Sequence, residues 1–332
     1  MERHTVGSTG LSLTRIGLGL AALGRPGYIN LGHATDLARD YEVAAMRDHA
    51  AEVLDAAWQV GIRYVDAARS YGRAEEFLAH WLRTRQRQTG ELTVGSKWGY
   101  TYTAGWSVDA DIHEVKDHTL STLRRQAAES AALLDGWLDL YQIHSATLDS
   151  GVLDRDDVLD ELADLRAERG WAIGLTLSGT SSRETLQRAM TIRSDGKRLF
   201  DAVQATWNLL EPSLSDALAA AHEDGMAVII KEALANGRLT ERNDDPAFQR
   251  RRTVLDAEAG RLGCSLDQLA LAAVLDQPWA DCVLSGAATA EQVQSNIGAL
   301  GLRLDGRARE VLSSLAEAPA EYWETRSRLP WG

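Results

Sequence analysis

The sequence predicts an α/β fold, a closed (β/α)8 TIM barrel with an N-terminal β-hairpin and long loops at its C-terminal face. Three observations carry that prediction. Eight short apolar runs recur along the 332 residues. Amphipathic segments with apolar residues at i, i+3 and i+4 separate them. No Pro/Gly/Ser linker, low-complexity tract or repeat divides the chain, so residues 1–332 read as a single domain. Eightfold strand–helix alternation implies a parallel sheet, and at this length a closed barrel is favoured over an open doubly wound sheet.

The elements follow in order. RHTVGSTGLSL, residues 3–13, reads as a hairpin turning at Gly7 to Gly10. The strand runs are RIGLGL at 15–20, IRYV at 62–65, LTVGSK at 92–97 and LDLYQIH at 138–144. They continue as WAIGLTLS at 171–178, DAVQATW at 201–207, MAVIIK at 226–231 and CVLSGA at 282–287. Between them lie helical stretches such as VAAMRDHAAEVLDAAWQVG, LDELADLRAERG and LDQLALAAVLDQ. The first two end on glycine, which accepts the left-handed conformation just past a last turn. Polar inserts interrupt the alternation at 24–42 and 98–111, and the tail EYWETRSRLPWG carries aromatic residues that need cover. GLGLAALG, residues 17–24, is glycine-rich but lacks GxGxxG spacing and a ribose-binding acid, so it reads as small residues packing the barrel floor.

Composition narrows the function. Acidic residues outnumber basic ones 48 to 35, for a net charge of −13, which argues against a polyanion such as nucleic acid as partner. Cys264 and Cys282 sit in no CxxC pair and beside no other ligands, so a metal site or disulfide framework is not expected. The apolar N-terminal run is interrupted by Thr, Ser and Arg15, unlike a secretion signal. No stretch reaches the ~18 apolar residues that span a bilayer. The expectation is a cytoplasmic protein acting on a small molecule, a monomer or weak homo-oligomer.

In such a barrel, polar residues at the C-terminal strand ends point into a shared mouth. Asp66 and Tyr71 follow the second run, Lys97 ends the third and His144 the fourth. Alone, each has an ordinary role as helix cap, loop packing, snorkelling cation or core histidine. Together at three consecutive strand ends, they point to chemistry. GIRYVDAARSYGRAEEFLAHWL resembles the strand-two motif of the aldo-keto reductase superfamily, with Asp66 and Tyr71 at its aspartate and tyrosine. SKW carries Lys97 at the family's lysine, and QIHS carries His144 at its histidine. VQATWNLLE is similar to the motif whose glutamine, here Gln204, holds the nicotinamide carboxamide; Ser178 matches a serine with the same task. SGAATAEQVQSN resembles the final cofactor loop, with Asn296 at an adenine-contacting asparagine.

The resemblance implies an oxidoreductase moving a hydride between NAD(P)H and an aldehyde or ketone. No side chain supplies a hydride, so a nicotinamide must. Tyr71 supplies the proton; because a free phenol has a pKa of ~10, Lys97 is expected to lower it, with Asp66 keeping Lys97 charged. His144 orients the substrate oxygen and favours carbonyl chemistry, since double-bond reductases of the family carry glutamate there. The alternatives are a regulatory module like the potassium-channel β-subunits, or an NAD-dependent aldose dehydrogenase.

Three cofactor positions depart from the family pattern. Ser178-Gly179 stands where Ser-Asn is common. Lys231 stands where many members stack an aromatic on the nicotinamide, and Trp207 is a candidate to fill that gap. KEALANGRL would cradle the pyrophosphate through Lys231, Leu234 and backbone amides around Gly237, with Glu232 repelling phosphate unless it turns away or pairs with Lys231. The last loop, Gly286-Ala287-Ala288-Thr289 with Gln292 beyond, offers no cation to a 2′-phosphate unless Arg238 arrives from elsewhere. Family usage favours NADP(H) slightly, and NAD(H) is the alternative. Tyr28, Trp98, Tyr100, Tyr102 and Trp106 are candidate aromatic walls for a carbonyl or sugar substrate, with Trp323 and Trp331 candidates to close the pocket.

Overall fold

The computed structural model describes residues 1–332, and all eight apolar runs form strands. These are β1 (Ile16–Gly19), β2 (Tyr64–Asp66), β3 (Thr93–Trp98), β4 (Leu138–Ala146), β5 (Ala172–Leu177), β6 (Ala202–Thr206), β7 (Ala227–Lys231) and β8 (Cys282–Ser285). They pair in parallel in chain order, and β8 returns to β1 with Val283 beside Ile16 to close the barrel. Aliphatic side chains such as Val203, Val228 and Ile230 are buried, as expected for strands covered on both faces.

Helices α1 (Val43–Gln59), α2 (Ala74–Thr84), α3 (Leu120–Leu134), α4 (Asp156–Arg169), α5 (Ser182–Thr191) and α6 (Ser215–Glu223) follow β1 to β6. Two helices, α7 (Gln249–Leu262) and α8 (Leu266–Leu275), follow β7, and α9 (Ala290–Ile297) follows β8. The chain ends with α10 (Gly306–Ser313) and α11 (Pro319–Ser327). The glycine stops are where the sequence places them: Gly170 caps α4 at φ +73° and Gly61 follows α1 at φ +91°. No helix is long and apolar enough to cross a membrane.

The barrel floor sets the site above it. Val6, Leu11 and Leu13 of the expected hairpin, Arg3–Thr5 paired with Ser12–Thr14, pack under Tyr64, Leu140, Ala202, Ala227, Ile229 and Leu284. The hairpin lies so close to the chain after α6 that a Cβ on Gly7 would stand 2.2 Å from the Gly225 carbonyl oxygen. Gly17 is similarly confined, its missing Cβ 2.8 Å from the Tyr64 ring. Side chains alternate along a strand. Residues two beyond the floor therefore also face the axis: Asp66 after Tyr64, Gln142 after Leu140, Gln204 after Ala202, and Lys231 after Ile229.

The two polar inserts rise over this end. The first contains one helical turn, His33–Asp36. The second carries antiparallel strands Tyr100–Tyr102 and Glu114–Lys116, extending past the expected boundary at 111.

Candidate active site

Asp66 is the hub. One carboxylate oxygen accepts hydrogen bonds from Tyr64 Oη at 2.9 Å and from Gln142 and Gln204 Nε2, each at 3.1 Å. The other accepts from Lys97 Nζ, which also donates to the Ala67 carbonyl at 2.8 Å. All these side chains are buried. A buried ion pair survives when its remaining lone pairs are satisfied, which Tyr64 and the two glutamines do here. Burial works to lower the Lys97 pKa, and Asp66 opposes it.

Lys97 Nζ lies 4.8 Å from the centre of the Tyr71 ring. That ring stands edge-on to His144, centroids 5.5 Å apart at 85°. The net shift of the Tyr71 pKa in this structure is upward, against the lowering expected from Lys97. Burial pushes the Tyr71 phenol well above its usual range, the Asp66 charge adds to that, and Arg25 opposes. His144 is driven well below the usual histidine range by burial, then by the charges of Lys97, Lys231 and Arg25, so its imidazole is neutral. Ser70 Oγ lies 3.3 Å from its Nδ1, and His118 Nε2 lies 2.9 Å from its carbonyl oxygen.

A cavity of about 700 Å³ runs from these residues along the mouth. Tyr28, Tyr71, Tyr100, His144 and Trp331 line its reacting end, and Gly286, Ala287, Gln292, Ser295 and Asn296 line the other. Ser178, Gln204, Lys231, Leu234 and Gly237 line the same cavity. Ser178 Oγ is 3.1 Å from Ser145 Oγ, and Gly179 at φ +89° explains the exchange of Asn for Gly, the two residues that best tolerate that conformation. Asn296 donates to Ser285 Oγ at 2.8 Å.

Other assignments do not survive the geometry. Trp98 follows inward-facing Lys97 and so points outward; it is fully buried, edge-on to His118. Trp207 likewise follows Thr206, donating to Ser215 Oγ at 2.9 Å and packing on Trp279, away from the cavity. Trp106 packs on Phe77 and donates to the Tyr41 carbonyl at 2.6 Å, and neither it nor Tyr102 lines the cavity. Arg238 is spent on Glu317 at 2.6 and 3.0 Å. Ala288 is buried, its N–H donating to Gln292 Oε1 at 2.8 Å. Trp323 packs on Tyr322, outside the cavity.

Arg25, Arg326, Asp36 and Arg242 went unread in the sequence, and the partners of Trp331 and Glu232 come from the structure. Arg25 lies 5.3 Å from both the Tyr28 and Tyr71 ring centres, donating to the Ser70 carbonyl at 3.0 Å and Glu114 at 2.9 Å. Trp331 is fixed between Arg25 and His113, stacked on the latter at 4.0 Å, while the Gly332 and Tyr28 backbones exchange hydrogen bonds at 3.2 Å. Glu232 pairs with Arg326 of α11, with Lys231 3.8 Å away. Burial works to raise the Glu232 carboxyl, but Arg326, Lys231 and Thr206 together hold it at about 2. At the far end, Asp36 accepts two bonds from Arg242 at 2.5 and 2.6 Å and one from Gln292 at 2.9 Å.

A closed barrel thus carries a Lys–Asp pair, a phenol and a neutral imidazole at one end of a long cavity. The chain belongs to the aldo/keto reductase family, whose model matches residues 15–316. It is 23% identical over 322 residues to an uncharacterized oxidoreductase, YqkF, of Bacillus subtilis, covering 91% of this chain and 92% of that one. It is 24% identical over 346 aligned positions to an NADH-specific methylglyoxal reductase of Escherichia coli, covering 96% and 99%. Its fold matches the aldo-keto reductase AKR11C1 of Bacillus halodurans in its holo form, with a TM-score of 0.73 at 20% identity over 96% and 97% of the two chains.

Proposed function

We propose that this protein reduces an aldehyde or ketone to its alcohol at the expense of NAD(P)H, with Tyr71 delivering the proton. The observation that carries this reading is the Asp66–Lys97–Tyr71–His144 cluster, whose Asp66, Tyr71 and His144 line one cavity. The cavity fits a dinucleotide chemically. Gln204 spends its amide nitrogen on Asp66, so its oxygen has no partner within the protein and can accept from a carboxamide. The buried Oδ1 of Asn236, in the bend of KEALANGRL, is also without a partner. When bound, the reduced nicotinamide supplies the hydride.

The chain's own residues supply the rest. With Ser70 donating to Nδ1, the neutral His144 presents Nε2–H to the carbonyl oxygen, fixing its approach and stabilising the charge that grows on it. Tyr71, protonated at neutral pH, hands that oxygen its proton. Lys97 and Asp66 hold the polar hub in place. Tyr28, Tyr100 and Trp331 exclude water around the reacting carbon.

Family usage keeps NADP(H) the first choice, and an NADH-specific relative at 24% identity supports NAD(H) as the alternative. Locally, Arg242 and Gln292 are both engaged by Asp36, so discrimination through a 2′-phosphate should be weak. The deciding assay follows consumption of NADPH and of NADH over a panel of aldehydes, ketones and aldoses. Turnover of simple carbonyls supports the reading; no turnover with either cofactor, from folded protein, contradicts it.

A further inference from the structure

β4 leaves its ladders where it reaches His144. Ile143 still pairs with Trp98 of β3 and Leu175 of β5, and β5 is rejoined only at Ala146. His144 and Ser145 have no register partner on either side. Ser145 takes a left-handed φ of +52°, uncommon for a residue with a Cβ, and its N–H turns to Thr176 Oγ1 at 2.7 Å. The His144 carbonyl is taken by a side chain, accepting from His118 Nε2 at 2.9 Å. A carbonyl can only accept, so this contact fixes the Nε2–H tautomer of His118 and leaves its buried Nδ1 an acceptor without a partner.

His118 is itself held from several directions. The Asp117 N–H donates to the Gly99 carbonyl at 2.9 Å, and the Asp117 carboxylate accepts at 3.0 Å from Thr119, the N-cap of α3. The His118 ring stands edge-on to Trp98 and Tyr100, with centroids 5.5 and 6.4 Å away. Gly99, at φ +109°, keeps the space open, since a Cβ there would stand 2.3 Å from the ring. An unfilled buried acceptor is a cost, and an apolar residue in this space would avoid it. What His118 provides in return is its one N–H.

We propose that His118 is a positioning residue for His144, its hydrogen bond to the unladdered carbonyl aiming the imidazole at the substrate oxygen. The proposal rests on the reductase reading above, in which His144 orients that oxygen. Carbonyl and side chain leave the same stretch of backbone. Releasing the carbonyl to rotate therefore swings the imidazole from its edge-on place beside Tyr71 and Tyr100, at 5.5 and 5.0 Å.

The test compares His118→Leu, which removes the donor, with His118→Gln, which keeps an Nε2–H. His118→Leu should lower kcat about ten- to a hundredfold, the scale expected when a reacting group is misplaced by about an ångström. Reduced-cofactor binding, followed by fluorescence, should be unchanged, and His118→Gln should restore most of the rate. In a His144→Ala background, His118→Leu should cost nothing more, because its route of action is gone. A general structural role would lower the rate by the same factor in both backgrounds, and that result overturns the proposal. So does His118→Leu as fast as the parent, or His118→Gln as slow as His118→Leu. Should His118→Leu not fold, His118→Asn, whose amide is too short to reach the carbonyl, replaces it in each comparison. A second readout needs no turnover: spectra of the ¹⁵N-labelled histidines, with His144 assigned by its loss in His144→Ala. The His144 ring resonances should match the parent in His118→Gln and shift in His118→Leu. If no aldehyde is reduced at all, the reductase reading fails. These resonances still decide the positioning claim, which an unchanged His144 in His118→Leu overturns.

Discussion

Asp66 accepts four hydrogen bonds, one charged and three neutral, and that distribution decides what its partners are worth. Removing Lys97 leaves a carboxylate buried with neutral donors only. Breaking a buried pair costs about 3–5 kcal/mol when one charge is stranded, and Tyr64 and the glutamines should hold this case near the lower end. Lys97→Met is therefore expected to lose both activity and stability, while Lys97→Met with Asp66→Asn recovers stability without activity. Urea unfolding beside the reductase assay separates the two, and a single variant as stable as the parent would refute the stranded-charge account. The tetrad was legible because its members end consecutive strands. Tyr64 and Gln142, which hold Asp66, were legible in principle, two residues below Asp66 and His144 on the same inward faces. Strand alternation also excludes Trp98 and Trp207, each one residue past an inward side chain. Arg25 and Arg242 carry no such mark, because loop residues have no period, and Arg326, though on α11, has its partner far off in sequence.

At the scale of elements, the first insert does more than lengthen a loop. Its turn His33–Asp36 reaches the far rim of the cavity, where Asp36 holds Arg242 from the β7–α7 connection and Gln292 from α9. The sequence offers no cation in the last loop, and the fold brings one from elsewhere and neutralises it. Placing an arginine at Ala288 is not the way to recruit NADPH, since that side chain is buried. Asp36→Asn instead frees Arg242. That arginine is partly exposed, so the gain is screened to about 1 kcal/mol, roughly fivefold in NADPH binding relative to NADH. Titration of both cofactors at fixed salt reads this directly, and an unchanged NADPH/NADH ratio would place the 2′-phosphate away from this rim.

For the whole molecule, the alternation of eight runs was enough to give the barrel, its hairpin plug and the end at which the site lies. Local periodicity sets strand and helix, and their number leaves few ways to close a sheet. The same burial that builds the barrel makes its stability depend on pH. Burial and the Lys116 charge hold His118 down at about 4, against 6.5 in the unfolded chain. Between those values the unfolded chain binds more protons, so stability is full above 6.5 and declines as pH falls toward 4. The loss is roughly 3 kcal/mol at most, at about 1.4 kcal/mol per pKa unit. Asp139, raised by burial to about 6, acts oppositely: it favours the folded state at low pH, and that contribution is lost as pH rises through 6. Urea unfolding from pH 7 down to 4.5 should show a shallower decline for His118→Gln and a steeper one for Asp139→Asn. Identical slopes in parent and variants would contradict both assignments.

The central claim is that Tyr71 gives the substrate oxygen its proton, and Tyr71→Phe tests it by removing one hydroxyl while the ring keeps its packing against His144 and Lys97. Reduced-cofactor binding and melting temperature should stay close to the parent's. The rate of reduction of a good aldehyde substrate should fall by about 10²–10⁴, the usual cost of a lost general acid. A variant that binds cofactor normally and still turns over at more than a tenth of the parent rate would show that the proton comes from another group.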